Sequence, residues 1–178
     1  MDLVIAVEDP RAPEVGAVLA RHLAVMEEET PPAHVHALPA ERLKDPAVTL
    51  FGARRDGVLL GVGAIRRLDD AHAEVKSMHT LAEARGQGIG RAMLRHLLQV
   101  ATANGYKRVS LETGTMLAFE PARRLYQSAG FRPCRPFGEY MVNAYSVCMT
   151  LVLDTTPGER QVSGRARKPS ARSRSVAS

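Results

Sequence analysis

At 178 residues the chain suits one domain and a tail, and with 45% apolar but only 4% aromatic residues its core must be aliphatic. The formal charge of +5 resides in residues 155–178, where Arg160, Arg165, Arg167, Lys168, Arg172 and Arg174 face only Glu159, so residues 1–154 are neutral and make no electrostatic case for nucleic acid. No run approaches the roughly 18 uninterrupted apolar residues of a membrane span, the acidic start MDLVIAVEDPRAPE does not read as a signal peptide, and Cys134 and Cys148, the only cysteines, imply no pairing, so a reduced, cytoplasmic chain is expected.

LVIAV (3–7) reads as a short buried strand. From Ala12 to Met26, Val15, Val18, Leu19, His22, Leu23 and Met26 recur at helical spacing, and an acidic end, Glu27 to Glu29, follows. TPPAHVHALP (30–39) breaks the pattern with three prolines, and a short helix fits Ala40–Lys44. VTLFGARRDGVLLGVGAIRRLDDAHAEVKSMHT reads as three antiparallel strands, turning at RDG (55–57) and DDAH (69–72). Helix returns at Ile89–Asn104 with Met93, Leu97, Leu98 and Ala101 on one stripe, and Gly105 is a stop. RVSLET (108–113) is a strand, FEPARRLYQSAGF a second amphipathic helix with Pro121 in its first turn, and SVCMTLVL (146–153) a final strand. The Ser-, Arg- and Gly-rich tail, 155–178, reads as disordered. The expected domain, 1–154, is therefore mixed α/β, an antiparallel half feeding into crossover units, with no internal repeat.

Gly86, Gly88 and Gly90 stand at every second position just before the helix that starts at Ile89. A helix start leaves backbone N–H groups without partners and carries partial positive charge, and glycines keep side chains out of an anion's way. The arrangement suits a phosphate or pyrophosphate; the bland alternative is a flexible turn. A Walker loop is excluded by the lack of GxxxxGK[ST], and a Rossmann site by the GxGxG spacing and the lack of an acidic ribose reader.

RGQGIG (85–90) fits the pattern [QR]xxGx[GA], and with its flanks, EVKSMHTLAEARGQGIGRAML, it resembles the strand, loop and helix of the GNAT N-acetyltransferase superfamily. RVSLETGT…PARRLYQSAGF is similar to that family's next strand and helix, with its AxxLYxxxGF pattern. The resemblance spans about residues 3–153 and is nearest to the bacterial single-domain branch. It implies the acyl-CoA N-acyltransferase fold, a mostly antiparallel sheet flanked by helices, with acetyl-CoA as cosubstrate and no metal. By resemblance, Arg85, Gly86, Gln87, Gly88, Ile89, Gly90 and Arg91 form the pyrophosphate loop. The strand before it, through the backbone at Met78, His79 and Thr80, runs along the pantetheine arm, and the thioester lies where that strand splays from the next.

Acetyl transfer needs a neutral amine, and deprotonating a lysine-like amine of pKa about 10.4 at pH 7 costs about 4.6 kcal/mol, so a base is useful. Glu74 is the candidate: it lies eleven residues before Arg85, the spacing of the basic glutamate in histone-acetylating relatives, and alternation puts Glu74, Lys76, Met78 and Thr80 on one strand face. Its alternative is a surface carboxylate balancing Lys76. Tyr126, in RRLYQ, corresponds to the tyrosine whose hydroxyl lies near the coenzyme sulfur and donates to the departing thiolate; otherwise it is a core residue. Phe119 stands where the family often has an Asn, which leaves side-chain contacts from there in doubt. His34 and His36, in the proline-rich segment, either line the acceptor site or are exposed, and they lack further ligands for a metal. His79 alternates away from Met78 and reads as packing or surface, and Glu27–Glu29 as a solvated helix end or an attractor of cations.

The expected function is acetyl transfer from acetyl-CoA to a small-molecule amine by direct attack in a ternary complex, without membrane or specific nucleic-acid partners and with a homodimer left open. The alternatives are a protein acetyltransferase acting on a lysine or N-terminal amine, a non-catalytic acyl-CoA binding module, and a basic tail that tethers nucleic acid loosely.

Overall fold

The computed structural model describes residues 2–36 and 40–153, so the tail 155–178 lies outside the described residues. In chain order the elements are β1 (Leu3–Val7), α1 (Pro13–Glu29), β2 (Val48–Arg55), β3 (Val58–Arg67), β4 (His72–Thr80), α2 (Ile89–Ala103), β5 (Arg108–Gly114), α3 (Glu120–Ser128), β6 (Arg132–Cys134) and β7 (Ser146–Val152). Short 3-10 turns occupy Pro32–His34, Ala40–Lys44, Ala82–Ala84 and Leu117–Phe119.

The seven strands form one sheet in the order β1-β2-β3-β4-β5-β7-β6. Every neighbouring pair is antiparallel except β4 and β5. The β2–β3 hairpin closes through Asp56 and Gly57, both at positive φ (51° and 81°), the backbone that a tight two-residue hairpin turn requires.

LVIAV is a strand but not a buried one. It is the sheet's edge, paired only with β2, and Val4 and Val7 are 58% and 66% exposed while Leu3 and Ile5 pack on the core. Strand β6 is an element the sequence reading lacks. Its three residues include Pro133, and only pairing with β7 (Arg132↔Thr150 to Cys134↔Cys148) makes it a strand.

Register settles which helix lies on which face. Val62 opposes His79, and His79 packs against His22 of α1, with ring centroids 5.5 Å apart. Gly63, the next residue and so on the other face, lies beneath Met93 and Leu97 of α2. The two helices therefore sandwich β3 and β4. The stripe Ile89, Met93, Leu94, Leu97 and Ala101 is buried against the sheet, as its helical spacing dictates, while Leu98 lies at its margin.

Two irregularities interrupt β4. The β3–β4 register shifts between Val62 and Ala64, and opposite this point Ser77 takes φ 52°, a bulge. Beyond the bulge His79 rejoins the face of Glu74 and Lys76, whereas Thr80, opposite Gly61, points to the α2 face. The simple alternation that put Glu74, Lys76, Met78 and Thr80 together is thus wrong past Lys76, because one inserted residue inverts every later side chain. The second irregularity is that β4 and β5 pair at only three positions, His72↔Arg108, Ala73↔Val109 and Glu74↔Ser110, and then part.

Candidate active site

The loop from Arg85 to Gly88 carries the chain from the end of β4 into α2. Gly86 and Gly88 have φ of 76° and 79°, and a Cβ built on either would meet nothing within 4 Å. Gly88 is the residue before α2, and no side chain caps the helix. Ala92 is the first residue of the helix whose N–H bonds backward, to the Gly88 carbonyl. Among the described residues, the N–H groups of Gly86, Gln87, Gly88, Ile89, Gly90 and Arg91 take no backbone acceptor. Side chains fix the loop instead: Gln87 accepts from Arg55 at 2.7 Å and donates to the Glu83 carbonyl at 3.1 Å, and Arg85 reaches the Thr80 carbonyl at 3.4 Å. Six unused donors at an uncapped helix start, with open space at Gly86 and Gly88, fit a pyrophosphate.

Beside the loop runs the free edge of β4. Leu81 donates to the Leu60 carbonyl on the β3 side. Because backbone groups alternate along a strand, Thr80 and Met78 direct theirs toward β5, which has already parted from β4. His79, between them, packs its ring against His22 of α1.

Tyr126 is the one buried residue of α3, 7% exposed, with its ring edge-on to Phe131. Its hydroxyl has no hydrogen bond among the described residues, and burial pushes its pKa up to about 12. Phe119 lies against Gly114 at the end of β5, where a Cβ would come within 2.2 Å of the ring, so it packs the sheet and offers nothing polar.

On the other face of the sheet a cavity of about 410 Å³ is lined by His36, Arg66, His72, Glu74, Lys76 and Tyr140, among others. Glu74 is 1% exposed, so it is no surface carboxylate, although it does meet Lys76, whose Nζ is 3.4 Å from Oε1. Lys76 also donates to the Tyr140 hydroxyl, and that hydroxyl donates to Glu74 Oε1 at 2.5 Å. Burial, then the Glu74 carboxylate, push the Tyr140 hydroxyl far up, so it stays protonated and donates. Glu74 Oε2 is buried without a hydrogen bond; the Arg66 guanidinium lies 3.7 Å away.

The two loop histidines are half-buried and not free in solvent. His34 packs on Tyr145 (4.8 Å between centroids) and His36 edge-on to Tyr140 (5.3 Å). Glu27 and Glu28 are exposed, a solvated helix end. No group of three or more potential metal ligands occurs among the described residues.

Sequence reading missed Glu112, Tyr140 and Arg66. Glu112 lies two residues past Ser110, the partner of Glu74, and therefore on the same face, just where β5 leaves β4. Burial raises its pKa, opposed by a Ser146 hydrogen bond and by His36 and Lys76. The parallel register would have found it; nothing local in the sequence marks Tyr140, which comes from the irregular segment before β7.

The profile of the Acetyltransferase (GNAT) family matches residues 18–131. The uncharacterized N-acetyltransferase YsnE of Bacillus subtilis is 41% identical over 146 residues, 82% of this chain and 97% of that protein. A Klebsiella pneumoniae crystal structure described as an acyl-CoA N-acyltransferase superposes with a TM-score of 0.69 at 26% identity, over 85% of this chain and 97% of that one. A GNAT family acetyltransferase from Elizabethkingia anophelis with acetyl-CoA bound matches in fold, with a TM-score of 0.63 at 19% identity over 85% and 98% of the two chains.

Proposed function

Because the chain belongs to the acetyltransferase (GNAT) family, we propose that it moves the acetyl group of acetyl-CoA directly to the amine of a small molecule. The observation that carries this reading is the row of unused N–H donors from Gly86 to Arg91 beside the parting of β4 and β5. Acetyl-CoA, when bound, supplies the activated acetyl group; the rest is done by the chain. The loop donors hold the pyrophosphate, and the Met78 and Thr80 backbone receives the pantetheine arm in place of a neighbouring strand. Tyr126 keeps its proton at neutral pH and gives it to the departing thiolate. Glu74, which lines the cavity, takes the amine's proton at Oε2, the oxygen without a hydrogen bond, with Glu112 on the same face as the second carboxylate able to do so. A cavity of about 410 Å³ roofed by His36 and Tyr140 supports a small acceptor over a protein chain.

The test pairs calorimetry with acetyl-CoA and thiol release over a panel of small amines and lysine peptides. Coenzyme binding with turnover of small amines is expected. Turnover confined to peptides would replace the acceptor class, and binding without any turnover would make the chain an acyl-CoA binding module.

A further inference from the structure

We propose that the acceptor carries a carboxylate next to its amine, as an α-amino acid does; this deepens the acetyltransferase reading and rests on it. The cavity holds an ion pair, too long for a hydrogen bond, whose two groups keep unused hydrogen-bonding capacity. Glu74 Oε2 is an acceptor with no donor, on a side chain 1% exposed. Arg66, 29% exposed, has a guanidinium with no hydrogen bond among the described residues, and its Nη1 is 3.7 Å from that oxygen. A buried carboxylate oxygen without a hydrogen bond is costly, and a guanidinium fork matches a carboxylate in two hydrogen bonds. An α-amino acid carries a donor and a carboxylate on one carbon, so a single such molecule can offer a partner to each group. An ammonium or amine placed on Oε2 leaves its neighbouring carboxylate facing Arg66.

Two cations, Lys76 and Arg66, flank Glu74, and Glu112, the second carboxylate on that face, is held above its ordinary pKa by burial. Lys76 is held by Glu74 and Tyr140, whereas Arg66, ion-paired with Glu74 at 3.7 Å, makes no hydrogen bond among the described residues. The other carboxylates lining the cavity, Asp69 and Glu139, are exposed at its rim, where water screens them. His72 does not compete for the anion: its ring bonds Ser110 at 2.7 Å, and burial lowers its pKa. An acceptor with an amine alone would satisfy Oε2 and leave the hydrogen-bond donors of the guanidinium unused.

The experiment compares L-alanine, L-leucine, L-methionine, L-phenylalanine and L-aspartate with their 1-carboxamides and decarboxylated amines. Acetyl transfer is read by thiol release. In a second arm without coenzyme, the N-acetyl amino acids and their amides are titrated by NMR. At least one acid is expected to exceed its amide in kcat/KM by about ten- to a hundredfold, the range of a charge-assisted hydrogen bond, with the difference in KM. Arg66→Gln should shrink that ratio to about threefold or less, and Arg66→Lys should restore part of it, while KM for acetyl-CoA stays put. Amides or plain amines used as well as acids would overturn the proposal, as would an Arg66→Gln loss that is equal for acids and amides, or no turnover and no binding of any acid. Arg66-dependent binding of N-acetyl acids by a protein that fails to bind acetyl-CoA would uphold the carboxylate site and sink the acetyltransferase reading alone.

Discussion

Tyr126 holds its proton because its ring is sealed into the core while its hydroxyl finds no protein partner. Tyr126→Phe keeps the packing and removes only the donor. We expect kcat to fall about tenfold or more with little change in KM for acetyl-CoA, since a thiol of pKa near 8.5 leaves without much help; steady-state kinetics at saturating acceptor checks it, and an unchanged kcat excludes the role. The two carboxylates separate by pH. If one of them takes the amine's proton, its Gln variant should lose rate at neutral pH and recover as pH approaches the amine's own pKa. The loss should be smaller for an α-amine of pKa near 8, which needs only about 1.4 kcal/mol at pH 7, than for a lysine-like amine needing about 4.6. Profiles of kcat/KM against pH for Glu74→Gln and Glu112→Gln with both amine types decide between them, and a uniform loss marks a positioning role. Glu112 makes a second, independent prediction. Its folded pKa is raised above the unfolded value by burial, so folding favours its protonated form, and stability is lost as pH rises through the folded pKa. Glu112→Gln should therefore melt higher than wild type at pH 8, and the gap should close toward pH 4; melting curves across that range test the sign.

At the scale of elements, α1 and β4 meet through His22 and His79. Burial, with the neighbouring His79 and Lys76, lowers the His22 pKa to about 4. A His depressed below its unfolded value of about 6.5 stabilises fully above that value, and the contribution is lost as pH falls toward the folded pKa. His22→Gln should flatten the fall in Tm between pH 6.5 and 4, and an identical slope would deny the coupling. Elements with a strong local code could be read from the sequence: the stripe of α2, the Asp56–Gly57 hairpin and the glycine run before Ile89 each impose a periodicity or a backbone angle that few residue types meet. The bulge at Ser77 could not be, since serine carries no mark of φ 52°. Nor could the edge position of β1, because a short apolar run looks the same at the centre or the rim of a sheet. The site divides the same way. The loop and Tyr126 were legible through backbone demands and motif spacing. The Glu74–Tyr140 bond joins residues 66 apart, and only the closed fold brings them together.

For the molecule as a whole, the charge resides in 155–178, a segment with little apolar surface to dock. Its removal should bring the formal charge to zero and leave activity and Tm nearly unchanged; a drop of several degrees in a thermal melt would show that it packs on the domain. The three-residue contact between β4 and β5 has a wider consequence. It is the seam along which the sheet can open, and a molecule seated there, spanning the loose edge of β4 and the start of α2, acts as a rivet. Saturation at a hundred times Kd adds about 2.7 kcal/mol to the folded state, or roughly 5–10 °C of Tm for a domain of this size. Amide exchange should slow most on both sides of the seam. On the acetyl-CoA reading proposed above, the coenzyme would hold the seam shut against proteases when plentiful and leave the chain open to cleavage when scarce; limited proteolysis with and without acetyl-CoA tests this.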